Sequence, residues 1–193
     1  MKLIQLFVLV AVLAGCTQTV NTKVTAFNSQ QSPQEGTVAI VAKDEEVGQS
    51  LEFQHYRERA ALALAEHGFT AVAQSSDSQA QYQVTLGFLV QEVNSEDSGF
   101  RSGFVLRTSP WRSAGGDVIF MDDNDQRREY KRTLTFTIAD ASGQRLYEAT
   151  ASSVGRCDVM TVVFDEMLEA ILQLYPQASG TVRNVKVKGD PRC

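Results

Sequence analysis

The chain has 193 residues, with 18 Lys and Arg against 23 Asp and Glu and a formal net charge of −5. A modest acidic balance favours solubility and argues against a nucleic-acid partner, whose surface would need a basic patch. Hydrophobic residues make up 43%, ordinary for a globular protein, and the length suits one domain burying about 70% of its unfolded surface.

Residues 1–15 have the three parts of an export signal: Lys2 as the charged start, an apolar run over 3–13, and small Ala14 and Gly15 before Cys16. The apolar run is shorter than the roughly 20 residues a membrane span needs. Leu13-Ala14-Gly15-Cys16 reads as a lipobox, which makes Cys16 the lipid-bearing N-terminus of the mature protein. The expected organisation is a lipoprotein signal peptide over 1–15, a lipidated tether over 16–22 and a single domain over 23–193.

Residues 23–27 suit an edge strand, and the polar stretch 30–36, with Pro33 and Gly36, suits a loop. The continuous apolar run 37–42 is expected to be a strand buried on both faces. A charged linker over 43–49 leads to Ser50, an N-cap for a helix with Phe53, Tyr56, Ala60, Ala63 and Leu64 at helical spacing and Gly68 as its stop. Its polar face is not basic, so it packs on a sheet rather than on a membrane surface.

From 80 to 93 the period changes to two, with Tyr82, Val84, Leu86, Phe88 and Val90 on one side and Gln81, Gln83, Thr85 and Gln91 on the other. One face on the core and one in water is the implication. Residues 94–128 form an irregular excursion in which 100–108 and 117–121 could pair across a turn at 109–116; long excursions of this kind are often functional. Alternation resumes at 130–138, where Tyr130, Arg132, Leu134, Phe136 and Ile138 oppose Lys131, Thr133, Thr135 and Thr137. A tight turn at 140–143 returns the chain as an antiparallel strand over 144–154. A second amphipathic helix is expected over 158–174, capped by Asp158, with Met160, Val163, Phe164, Met167, Ile171 and Leu174 as its stripe. A short strand over 181–188 closes the order. The economical packing is an α+β two-layer sandwich: a mainly antiparallel or mixed sheet with two amphipathic helices on one face.

Chemistry-bearing patterns are sparse. His55 and His67 are twelve residues apart on one helix and cannot chelate one metal. No nucleophile elbow, phosphate-binding loop or dinucleotide fingerprint occurs. Asp122-Asp123-Asn124-Asp125 lacks the glycine and final glutamate of a calcium loop and reads as a solvated acidic turn. No catalytic residue, metal or cofactor is therefore expected. With Cys16 lipidated, Cys157 and Cys193 remain for a disulfide in an oxidising compartment, worth roughly 3 to 4 kcal/mol in the chain-entropy account. Phe100, Phe104, Trp111 and Phe120 gather in the excursion, together with Val105, Leu106 and Ile119 and interleaved with Arg101, Arg107 and Arg112. They either complete the sheet and its core or form an exposed surface for a partner or a lipid.

These pieces together resemble a family of Gram-negative envelope lipoproteins designated domain of unknown function 4136. The resemblance rests on the lipobox, on the Ser50-Leu51-Glu52-Phe53 helix start with its His67-Gly68-Phe69 end, and on the strand from Ala80. It extends to the Leu134-Thr135-Phe136-Thr137-Ile138-Ala139-Asp140 run and to Leu174-Tyr175-Pro176. Residues 94–128 and the cysteine-bearing tail depart from it. The resemblance implies an α+β lipoprotein domain without established enzymatic activity. In such bacteria an Asp after the lipidated cysteine retains a lipoprotein at the inner membrane; Thr17 stands there, which implies the periplasmic side of the outer membrane.

The expected function is thus a palmitate-bearing outer-membrane lipoprotein, held by Cys16 and acting as a non-catalytic accessory or interaction module for an envelope protein. The alternative is a carrier or sensor of a small apolar or lipid ligand, held in a cavity lined by Phe88, Phe136, Met160 and Met167.

Overall fold

A computed structural model of the chain describes residues 19–29, 31–73, 80–93, 128–177 and 180–189. The elements in order are β1 (Thr19–Asn28), β2 (Gly36–Ala42), α1 (Glu45–Gly48), α2 (Leu51–Glu66), β3 (Phe69–Ala71), β4 (Tyr82–Val93), β5 (Glu129–Asp140), β6 (Arg145–Gly155), α3 (Phe164–Leu172) and β7 (Arg183–Lys188). All strands join one sheet in the order β3-β2-β4-β5-β6-β1-β7. β2 runs parallel to both β3 and β4, and the remaining pairs are antiparallel. The sheet is therefore mixed, with α2 and α3 layered on one side, as the alternation and the two apolar stripes require. No helix among the described residues is long and apolar enough to cross a membrane.

Local chemistry explains the elements. The Ser50 hydroxyl accepts from Phe53 N at 3.0 Å and starts α2 where the sequence places it. Gly68, at φ +86°, ends it in a conformation that glycine adopts without strain. Phe53, Tyr56, Ala60 and Leu64 point into the core from α2, and Phe164, Met167, Leu168 and Ile171 do so from α3. The sheet answers with Val84 and Leu86, Leu134, Phe136 and Ile138, and Ala149 and Ala151.

Several expectations change. The stretch expected as an edge strand is interior, because β7 pairs outside β1 from Thr19↔Lys188 to Val24↔Arg183. Thr19 to Thr22, expected as part of the tether, are consequently paired strand. β2 fully buries only Val38 and Ile40, while Thr37, Ala39 and Val41 on its other face are half-buried. The expected linker contains the one-turn α1, capped by Asp44 Oδ1, which accepts from Glu46 N at 3.0 Å. α3 starts at Phe164 with Val163 at its cap position and no side-chain cap bond, so Asp158 does not cap it. Residues 160–163 are turn, although Met160 and Val163 still reach the core. Residues 69–71 form a short edge strand that no alternation announces.

Both sheet edges are blunted. β3 has three residues, and β7 presents exposed Arg183, Lys186 and Lys188, charges that oppose pairing with a further strand.

Candidate functional site

Both long helices lie on one side of the sheet, and among the described residues no helix covers the other side. Along β5 the described face alternates strictly: Arg132, Leu134, Phe136 and Ile138 are buried, while Thr133, Thr135 and Thr137 are half-buried on the open side. Threonine suits such a position, since its branched Cβ fits the pleat and its hydroxyl stays available. β6 carries a bulge opposite Ile138 and Ala139. The extra residue lets Leu146 and Tyr147 both point inward and sets Arg145 and Glu148 together on the open side, 2.9 Å apart. The same bulge gives the turn its shape: Asp140 Oδ1 accepts from Ser142 Oγ at 2.6 Å, Ser142 N at 2.8 Å and Gln144 N at 2.9 Å. Those bonds, the Ser142 hydroxyl first, hold the Asp140 carboxyl below its ordinary pKa.

A shallow cleft of about 630 Å³ runs over this face, with Lys43, Thr85, Thr135, Thr137, Arg145 and Glu148 among its walls. Gly87 of β4 pairs with Thr135 beside it. A Cβ there would lie 2.6 Å from Thr135 Oγ1 and 2.9 Å from Lys43 Cδ, so only glycine lets the lysine stem lie flat on the sheet. Thr135 Oγ1 in turn donates to Gly87 O at 3.1 Å. The surface thus offers hydroxyls, one lysine and an ion pair on rigid strands, which suits polar recognition of a flat or extended partner.

On the helical side, Arg59 of α2 and Asp165 of α3 form an ion pair, with Arg59 Nε 3.0 Å from both carboxylate oxygens. It sits in a groove with Leu62, Glu66, Glu169 and Lys188. Both partners are about half exposed, so the bridge aligns the helices more than it stabilises them. Glu166 beside it is pushed up by burial. His55 is exposed, His67 ends α2, and no cluster of metal-ligating side chains occurs among the described residues.

Cys157 is 1% exposed and disulfide-bonded. Cys16, Cys193, the aromatic group of Phe100, Phe104, Trp111 and Phe120, and Asp122 to Asp125 all lie outside the described residues. The residues proposed to line a ligand cavity serve the core instead. Phe136, Met160 and Met167 are fully buried, Phe88 packs edge-on to Tyr56 at 4.8 Å, and none of the four lines the clefts described above.

One group escaped the sequence reading. Arg132, Ser153 and Thr22 are buried polar residues on the core face of three adjacent strands. The signal was present, because the alternation at 130–138 already sets Arg132 in register with Leu134 and Phe136.

The fold defines the class: a two-layer α+β sandwich whose mixed sheet carries, among the described residues, its two long helices on one side. Within that class the chain belongs to the family described as domain of unknown function (DUF4136), which matches residues 19–177. Among curated proteins no relative matches the chain. Two solved structures of PelC dodecamers from Paraburkholderia phytofirmans are similar at 15% and 14% identity, with TM-scores of 0.42 and 0.43. Each alignment covers 78% of this chain and 94% of PelC. A PDZ domain protein from Parabacteroides distasonis is similar at 13% identity and TM-score 0.50, over 94% of this chain and 42% of that one. At 13% identity the likeness to the last of these extends to the fold alone.

Proposed function

We propose that this protein is a lipid-anchored, periplasm-facing lipoprotein of the outer membrane, and that it works as a non-catalytic interaction module of the cell envelope. The threonine-rich face of the sheet, which no helix covers among the described residues, carries this reading. It is broad, it combines the polar cleft with exposed Phe27, Leu89 and Val154, and its side chains are held by the pleat, the Asp140 turn and the β6 bulge. The disulfide at Cys157 supports an oxidising compartment. The lipobox supplies the anchor, with Cys16 three residues before β1, so the domain hangs from the end of the sheet at which β1 begins. Three acyl chains hold a protein on a membrane without further help, which leaves the sheet free for a partner.

The test is site-specific photo-crosslinking in cells, with the cross-linker at Thr135 on the open face or at Glu58 on the solvent side of α2. A reproducible adduct from Thr135 and none from Glu58 supports the reading. Equal adducts from both sites, or monomer alone, would count against it. Cys16→Ser in the same cells should leave unprocessed or mislocalised protein; unchanged membrane retention refutes the anchor.

A further inference from the structure

The core face of the sheet carries one row that does not behave like an apolar core. Arg132 pairs with Ser153 across β5 and β6. Lys23 pairs with Ser152 across β1 and β6, which sets Thr22 next to Ser153 one step further on, facing the core. Val90 and Val185 continue the row on either side. Its ends are apolar and its three middle members are polar, with exposures of 1% for Arg132, 3% for Ser153 and 1% for Thr22.

The polar groups do not satisfy one another. Arg132 Nη2 reaches Ser153 Oγ only at 3.5 Å, too long to compensate a charge. Arg132 Nε and Nη1 and the Thr22 hydroxyl have no hydrogen-bond partner among the described residues. The described ion pairs involve Arg59, Arg128 and Arg145, so no carboxylate among the described residues answers Arg132. An arginine keeps its proton in a protein, and removing an unpaired guanidinium from water is among the costliest arrangements a core can hold. Burial alone pushes its pKa down, with no opposing charge to raise it.

The surroundings make room for this side chain. Gly155 lies two residues beyond Ser153 on β6, and a Cβ there would come 2.5 Å from Arg132 Nη2. The guanidinium therefore bends along the sheet over Gly155, toward the end at which β1 begins. Glycine at 155 leaves the space the guanidinium occupies and has no unusual backbone angle.

We propose that Arg132, Ser153 and Thr22 form a binding site for a single oxyanion, a carboxylate or a phosphate group. A guanidinium presents parallel N–H pairs along its edges that match two oxygens of such a group, and the two hydroxyls donate to whichever oxygens remain. The bound group neutralises the one buried charge of the row and satisfies its orphaned donors together. Because the site is buried, the pairing is weakly screened and withstands salt that dissolves surface contacts. The ligand is either a free ion or the acidic group of a larger molecule.

Thermal unfolding of the full chain, in buffer free of phosphate and carboxylate, tests the site. Inorganic phosphate and acetate are titrated separately against sodium chloride at matched ionic strength. A saturable rise in Tm with phosphate or acetate, absent with chloride, is expected. Phosphate alone assigns a phosphate-bearing ligand, acetate alone a carboxylate, and both a general oxyanion site. Arg132→Met should abolish the rise and, without anion, melt no lower than the wild type. Gly155→Ala should displace the guanidinium and raise the half-saturating concentration at least tenfold. If Arg132→Met fails to fold, Arg132→Lys keeps the charge without the fork and should also bind at least tenfold more weakly. A wild-type response no larger than that to chloride overturns the proposal, as does a full response in Arg132→Met or, where that variant fails to fold, in Arg132→Lys.

Discussion

Tyr56 is where α2, α3 and the sheet meet, and replacing it tests how the two layers are joined. Its ring is fully buried, stacks on Phe164 of α3 at 4.4 Å and 23°, and meets Phe88 of β4 edge-on at 4.8 Å. Its hydroxyl donates to Glu52 Oε1 at 2.6 Å, and burial pushes the phenol pKa far above its ordinary value. Tyr56→Ala removes the whole ring, a large-to-small change that costs about 3–5 kcal/mol when the site cannot collapse. Two aromatic contacts, each worth about 0.5–1.5 kcal/mol beyond area, lie within that figure. At about 2–4 °C per kcal/mol for a domain of this size, the expected fall in Tm is about 6–20 °C. Tyr56→Phe keeps both ring contacts and loses one hydrogen bond, about 0.5–1.5 kcal/mol, so its Tm should fall by about 1–6 °C. Circular dichroism melts of the oxidised variants measure both. If Tyr56→Phe is as damaging as Tyr56→Ala, the stability rests on the bond to Glu52 within α2 rather than on the ring contacts between the layers, and the reasoning fails.

Two further predictions concern the turn and the disulfide. The Asp140 carboxyl is held below its unfolded value, so its contribution is present above about pH 4, the unfolded carboxylate's pKa, and is lost as the pH falls through the folded one. The Tm difference between wild type and Asp140→Ala should accordingly be steady near neutrality and shrink in acid; a difference that grows on acidification refutes the turn's account. Cys157→Ser should lower the Tm in oxidising buffer and leave it close to that of reduced wild type, since a disulfide stabilises chiefly by restricting the unfolded chain. An unchanged Tm in oxidising buffer would show that the crosslink carries no stability.

Periodicity in the sequence determined the two-layer sandwich. The alternation from Tyr82 and from Tyr130 fixed which side of β4 and β5 meets the helices, and the Ser50 cap and Gly68 stop placed α2 almost to the residue. These are local signals, written by side-chain period and by groups within four residues of each other. That one face of β4 and β5 meets the core and the other does not was legible on the same grounds, whereas the family entered as a resemblance of motifs. Strand order was not, because pairing partners are far apart in sequence: nothing near 23–27 says that β7 returns to cover β1, and nothing in 37–42 distinguishes a strand buried on both faces from one flanked by parallel neighbours. The start of α3 was misplaced because Met160 and Val163 keep the helical apolar stripe while the backbone there is turn. The Arg132 row shows the division most clearly. Alternation alone set Arg132 on the core face, but only the assembled sheet brought Ser153 and Thr22 beside it and laid its guanidinium over Gly155. Charge on a core face is a property of one strand, whereas whether that charge is answered depends on the strands that pack around it.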